Sequence, residues 1–140
     1  DEVAQMMGGL AYMTGPSGRP LRAGASVIDI AGGMFGVIGI LAALLQRGST
    51  GEGAVVRSSL YETTAFIVGQ HMAQMAVTGS AARPMPERIS AWAIYDVFET
   101  ANEGELLFLG VVSDGQWQSF TQAFDLGPIG SDPAYAKNND

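Results

Sequence analysis

Cysteine is absent from this sequence, and histidine occurs once, as His71. The first absence excludes disulfides and thiolate metal sites. The second argues against a histidine-built metal centre, so no metal is expected. Basic residues are also scarce: 7 Lys and Arg stand against 14 Asp and Glu, a net charge of -7. Phosphate-tracking surfaces need a basic face, so nucleic acid is not an expected partner. No apolar run reaches full bilayer length. The longest charge-free one, Ile30 to Leu45, has sixteen residues, against the roughly twenty that a span requires. A buried helix of a soluble protein is expected there instead of a membrane span. The opening DEVAQMMGGL carries acids where a secretory leader carries bases, and the expected location is cytoplasmic.

What is present is a folded-protein composition, 47% hydrophobic and 15% charged. The 140 residues suffice for one core. Nineteen glycines suggest tight turns, close helix packing or backbone approach to a ligand. The start, Asp1-Glu2, and the end, KNND, both read as the interior of a domain, so the sequence is expected to be an internal fragment of a longer protein.

Periodicity and punctuation divide the chain. Residues 2–13 read as a short helix and 15–24 as a loop rich in glycine and proline. Ser26 to Arg47 is the strongest helix, apolar nearly throughout and therefore expected to be buried. Gly48 to Gly53 ends it. Ala54 to Ser58 reads as a short strand and Leu60 to Val77 as a second helix, with Ala65, Val68, Met72, Met75 and Ala76 apolar. Gly79 to Ser90 is a linker by composition. Beyond it, Ala93 to Glu99 and Glu105 to Val112 read as a hairpin around Ala-Asn-Glu-Gly. Ser113 is positioned to cap a helix running to Phe124. The tail from Gly127 to Asp140 is irregular. Two units result, 1–80 and 81–140.

Asp29 is the leading candidate for chemistry. Ser26-Val-Ile-Asp29 has capping-box spacing, with Ser26 capping the helix and Asp29 folding back onto the Ser26 N–H. Pattern alone favours that reading. Yet Asp29 lies among Val27, Ile28, Ile30 and Ala31, where a first-turn carboxylate gains from the helix dipole. Partial desolvation would raise its nucleophilicity, the condition for covalent catalysis by aspartate. Cap and nucleophile are compatible only if one oxygen stays free. Gly32-x-x-x-Gly36 would let another backbone approach the helix. The glycine-rich Gly48-Ser-Thr-Gly-Glu-Gly53 lacks the Gly-Lys-Ser/Thr of a phosphate loop and reads as a turn. Arg19, Arg22, Arg47, Arg57, Arg83 and Arg88 read singly as surface residues. His71, beside Gln70, reads as a satisfied or exposed side chain.

In order along the chain, several stretches resemble the family III CoA-transferases, the CaiB/BaiF group. They are Asp1 to Gln5 with Gly8-Gly9, then Gly15-Pro-Ser-Gly-Arg-Pro-Leu-Arg-Ala-Gly24, then Val27-Ile-Asp29-Ile-Ala-Gly-Gly33. Gly39 to Leu44, Thr50-Gly-Glu-Gly53, Ser59-Leu-Tyr-Glu62, Tyr95 to Thr100 and Asp132 to Asn138 follow. The resemblance implies an α/β fold: residues 1–80 as part of a large Rossmann-like domain, and 81–140 as the linker and start of a smaller α/β domain. It implies a homodimer of interlocked chains. It places the catalytic aspartate on Asp29, a supporting position on Gln5, an acidic position beside the thioester on Asp1, and a packing position on Leu60. The implied substrates are an acyl-CoA and a carboxylic acid acceptor, with coenzyme A as substrate rather than bound cofactor. An oxyanion-stabilising N–H near Gln5 or Gly8-Gly9 would also be needed. Two alternatives stand. One is an α-methylacyl-CoA racemase of the same family, whose histidine would precede Asp1; the Arg22-x-Gly24 segment favours the transferases. The other is a non-catalytic membrane or interaction fragment built on the Ile30–Leu45 helix. A chain of this length, holding half a Rossmann sheet, is expected to leave apolar faces open and to be inactive in isolation.

Overall fold

The computed structural model describes residues 1–88 and 90–138. Ile89, within the expected linker, and the last two residues of the tail lie outside the described residues. The chain forms two compact units, Asp1–Arg88 and Ile89–Asp140.

The first unit is helical. The expected helix over 2–13 is two short ones, α1 (Glu2–Met7) and α2 (Leu10–Thr14). The break falls at Gly8-Gly9, where Gly9 takes φ 88°. A Cβ on Gly8 would overlap the Thr64 side chain, so this turn is where α1 meets the second half of the unit. After the loop comes α3 (Val27–Thr50), 24 residues ending on Gly51 in the left-handed conformation. Residues 51–59 join no sheet, so the strand expected at 54–58 is not formed. A strand needs a ladder partner for its backbone, and among the described residues of this unit none is present.

The second expected helix is also two, α4 (Leu60–Ile67) and α5 (Gly69–Thr78), parted at Val68. Thr63 and Thr64 donate their hydroxyls back to the Ser59 and Leu60 carbonyls at 2.8 and 2.9 Å. Such back-bonding loosens and bends helices. A 3₁₀ turn, Met85–Glu87, follows. It is tied to the glycine-proline loop by Ser17, whose N–H and Oγ donate to the two Glu87 carboxylate oxygens, each at 2.7 Å. These bonds hold the Glu87 carboxyl below its ordinary range.

The core of this unit is small: Ala11, Ile28, Val68 and Ala82, with the polar Gln5, Thr63 and Thr64 also buried. The expected burial of α3 is therefore corrected. Only Ile28 and Gly32 are buried, whereas Ile30, Met34, Val37, Ile38, Leu41 and Leu45 are exposed. Helix α4 packs on its first half and the 53–56 segment lies against its second, where a Cβ added to Gly39 would meet Val56 Cγ1 at 2.7 Å; among the described residues the exposed side chains just named stay open. By length and composition alone α3 could also cross a membrane.

The second unit is the hairpin and helix expected there. β1 (Ile94–Glu99) pairs antiparallel with β2 (Leu106–Val111), from Ile94 opposite Val111 to Glu99 opposite Leu106. Glu105 closes the turn, accepting from Asn102 Nδ2 at 2.7 Å and Thr100 Oγ1 at 2.8 Å. The helix α6 (Asp114–Ala123) is capped by Ser113, whose Oγ accepts the Gln116 N–H. Trp117 is buried and donates its indole N–H to the Tyr135 carbonyl at 2.7 Å. Two short turns, α7 (Gly127–Gly130) and a 3₁₀ turn at Pro133–Tyr135, order part of the tail. The architecture is thus mixed helix and two-stranded sheet.

Candidate active site

The start of α3 gathers the predicted residues. Ser26 occupies the N-cap position, but its side chain makes no capping bond. The cap is Asp1, brought in from the start of α1. Its Oδ1 accepts the Ile28 N–H at 2.9 Å and the Asp29 N–H at 3.4 Å. The capping-box reading is therefore corrected. A fully charged carboxylate from a distant residue outcompetes a local hydroxyl for the free N–H groups of the first turn.

Asp1 is itself held. Gln5 is fully buried and donates Nε2–H to Asp1 Oδ2 at 2.7 Å, while its Oε1 accepts the Ala23 N–H at 2.8 Å. Both polar groups of Gln5 are engaged, so it is not a free oxyanion donor. The Gly8 N–H is engaged as well, with the Ala4 carbonyl at 2.8 Å. One Gln5 amide N–H and the Gly8 N–H are therefore spent on local bonds, while the Gly9 N–H of the same turn makes none among the described residues. Arg22 Nη2 lies 3.8 Å from Asp1 Oδ2, and Nη1 lies 3.8 Å from Glu2 Oε2.

Asp29 stands differently. Its side chain is 55% exposed, whereas that of Asp1 is 7% exposed. Its Oδ1 lies 3.2 Å from the amino group at the start of this chain, on Asp1. Its Oδ2 has no hydrogen-bond partner among the described residues. One oxygen is thus engaged and the other open, but the partial burial expected of Asp29 is not found among these residues.

Leu60 begins α4 and packs on the same stretch of α3. A Cβ added to Gly32 would meet Leu60 Cδ2 at 2.8 Å. Ser58 donates its hydroxyl to the Gly32 carbonyl at 2.7 Å. Gly32, three residues after Asp29, is therefore where the 58–60 segment comes close, as the glycine pair predicted. Asp1, Gln5 and Asp29 converge directly, and Leu60 joins through Gly32. His71 lies on α5, its Nε2 3.3 Å from Gln70 Nε2. Arg22, read from the sequence as a surface residue, instead joins this cluster. Its spacing from its acidic partners in the chain carries no recognisable pattern. No cluster of three or more potential metal ligands is found among the described residues.

The family model for CoA-transferase family III matches residues 1–140. The chain is 29% identical, over an alignment of 142 residues, to an acetyl-CoA:oxalate CoA-transferase of Acetobacter aceti, covering 100% of this chain and 36% of that protein. It is 30% identical over 139 residues to a succinate–glutarate CoA-transferase of Agrobacterium fabrum, covering 99% and 34%. The chain thus spans about a third of the length of these relatives. Its fold resembles the crystal structure of a CaiB/BaiF family protein from Brucella suis, with a TM-score of 0.75 and 24% identity, over 99% of this chain and 36% of that one. The ordered motifs, the fold and the match over all 140 residues place this chain in CoA-transferase family III.

Proposed function

We propose that these residues are the catalytic-aspartate segment of a longer, cytoplasmic CoA-transferase that moves CoA from an acyl-CoA thioester to a carboxylic acid, with Asp29 as nucleophile. The observation that carries the reading is the division of labour at the start of α3: Asp1 caps the helix, and Asp29 keeps one carboxylate oxygen unengaged.

The chemistry follows from that oxygen. It attacks the thioester carbonyl, the C–S bond breaks, and CoA leaves as thiolate, giving a mixed anhydride on Asp29. The thiolate then attacks the Asp29 carbonyl, releasing the donor acid and leaving an aspartyl-CoA thioester. The acceptor carboxylate attacks that thioester in turn, and the returning thiolate completes acceptor-CoA and frees Asp29. A carboxylate is a weak nucleophile. The helix N-terminus holds this one at a defined angle. Gln5 supports it through Asp1, and Leu60 shapes the wall above Gly32.

The exposed face of α3 fits the same reading. We assign residues 1–80 to a large Rossmann-like domain and 81–140 to the linker and the start of a smaller α/β domain. The rest of the protein and a second copy would cover the open helix. The length of the relatives supports this reading over a membrane anchor.

The test is to incubate the complete protein with an acyl-CoA, quench with hydroxylamine and map peptides by mass spectrometry. A hydroxamate on Asp29, absent from the D29N variant, is the expected result. Transfer without any adduct on Asp29 would overturn the covalent mechanism.

A further inference from the structure

Arg22 remains unexplained by the roles above. Its Nε–H donates to the Ala23 carbonyl at 3.0 Å, the same residue whose N–H is held by Gln5. Its two terminal nitrogens reach Asp1 and Glu2, each at 3.8 Å. The guanidinium is partly buried, with 37% of its side chain exposed. It therefore closes a ring of Arg22, Asp1, Gln5 and Ala23, from which Asp1 Oδ1 reaches the first turn of α3.

Charge explains why such a ring is needed. Asp1 is nearly buried, and it contacts the backbone of the residue that carries a second carboxylate, Asp29. Glu2 adds a third acid next to the first. A buried anion next to other anions is costly unless a cation compensates it. The helix N-terminus supplies only part of that compensation. Arg22 supplies a full charge from the side of Asp1 opposite the helix: Oδ1 faces the α3 N–H groups, and Oδ2 faces Arg22 and Gln5.

We infer that Arg22 is a positioning residue for Asp29, acting through the Asp1 carboxylate that caps α3. This rests on Asp29 being the nucleophile. Arg22 touches no reacting atom. It keeps Asp1 seated on the Ile28 and Asp29 N–H groups, which sets the direction of the first turn and of the free Asp29 oxygen. Misplacement on the ångström scale costs up to about a hundredfold in rate. Binding of the thioester, which needs no such alignment, is insensitive to it.

The experiment compares R22M, R22K and E52Q with wild type in the complete protein, measuring kcat, KM for the acyl-CoA, the thermal midpoint, and the rate of hydroxamate formation on Asp29. R22M is expected to lose kcat by about tenfold or more with KM within about twofold. R22K, which keeps the charge, should recover most of that loss. E52Q, at an exposed acid in the loop after α3, should match wild type. Wild-type kcat in R22M, or equal losses in R22M and R22K, would overturn the inference. If R22M does not fold, R22K decides alone: kcat within about threefold of wild type supports the role of charge, and a tenfold loss refutes it. Failure of the two readings is distinguishable. No adduct on wild-type Asp29 removes the nucleophile, whereas an adduct forming at equal rates in wild type and R22M removes only the role of Arg22.

Discussion

The Asp1 carboxylate caps the helix that carries Asp29, with its Oδ1 3.4 Å from the Asp29 backbone nitrogen, although the two residues lie at opposite ends of a 28-residue separation. Two aspartates thus divide between them the tasks that local pattern assigned to Ser26 and Asp29.

Capping is the first consequence. Replacing Asp1 by Ala is expected to destabilise the start of α3 by about 1–2 kcal/mol. Replacing Ser26 by Ala should change stability by less than about 0.5 kcal/mol, because its hydroxyl caps nothing. Hydrogen exchange at the Ile28 and Asp29 amides reads both outcomes. Faster exchange in S26A than in D1A would contradict the assignment.

Gln5 ties two elements through its buried amide. The Gln5→Leu change would leave Asp1 Oδ2 without its donor and the Ala23 N–H without its acceptor. Each unsatisfied buried group costs about 1–3 kcal/mol. Thermal unfolding of the complete protein should show a lowered midpoint, and acyl-CoA turnover should fall with it. An unchanged midpoint would mean that water replaces both bonds.

Gly32 is a close-approach position. The Gly32→Val change would push against Leu60, at an expected cost of about 1–3 kcal/mol. The added change Leu60→Ala should restore part of it, since the clash is with the leucine tip. Additive losses in the double variant would show that the two side chains do not meet.

Acid should loosen the tie between the glycine-proline loop and the 3₁₀ turn. The Ser17 hydroxyl, and then its N–H, hold the Glu87 carboxyl below its ordinary value of 4.5. A carboxyl depressed in the folded state stabilises above its unfolded value, and that contribution is lost as pH falls through the lower folded value. The difference in stability between wild type and S17A should thus be fully present at neutral pH and shrink below about 4.5. NMR titration of Glu87 checks the sign directly, with S17A moving it upward. A downward move would refute the cause named here.

Much of the second unit was legible along the chain. The hairpin signal, the Ser113 cap and the helix to Ala123 are local features, fixed by turn residues and by neighbours a few positions apart. The start of α3 was legible for the same reason, but the helix runs three residues past the expected Arg47, through Gly48 to Thr50, and stops on Gly51. Two helices broke where periodicity ran on, at Gly8-Gly9 and at Val68. In both places a side chain from elsewhere, or a threonine bonding back to its own helix, overrode the pattern. The strand at 54–58 failed because a strand requires a partner, and no spacing within one segment reveals whether that partner exists.

The sequence by itself determined the ordered family motifs, the position of Asp29 at the mouth of an apolar helix, and the scarcity of base and of sulfur ligands. Those properties depend on residue type and short spacing alone. Tertiary structure decided which carboxylate caps α3, which keeps a free oxygen, and that Gln5, Arg22 and Ala23 close around Asp1. These are contacts between residues far apart in the chain. Their energies come from burial and from charges brought together, which exist only once the chain has folded.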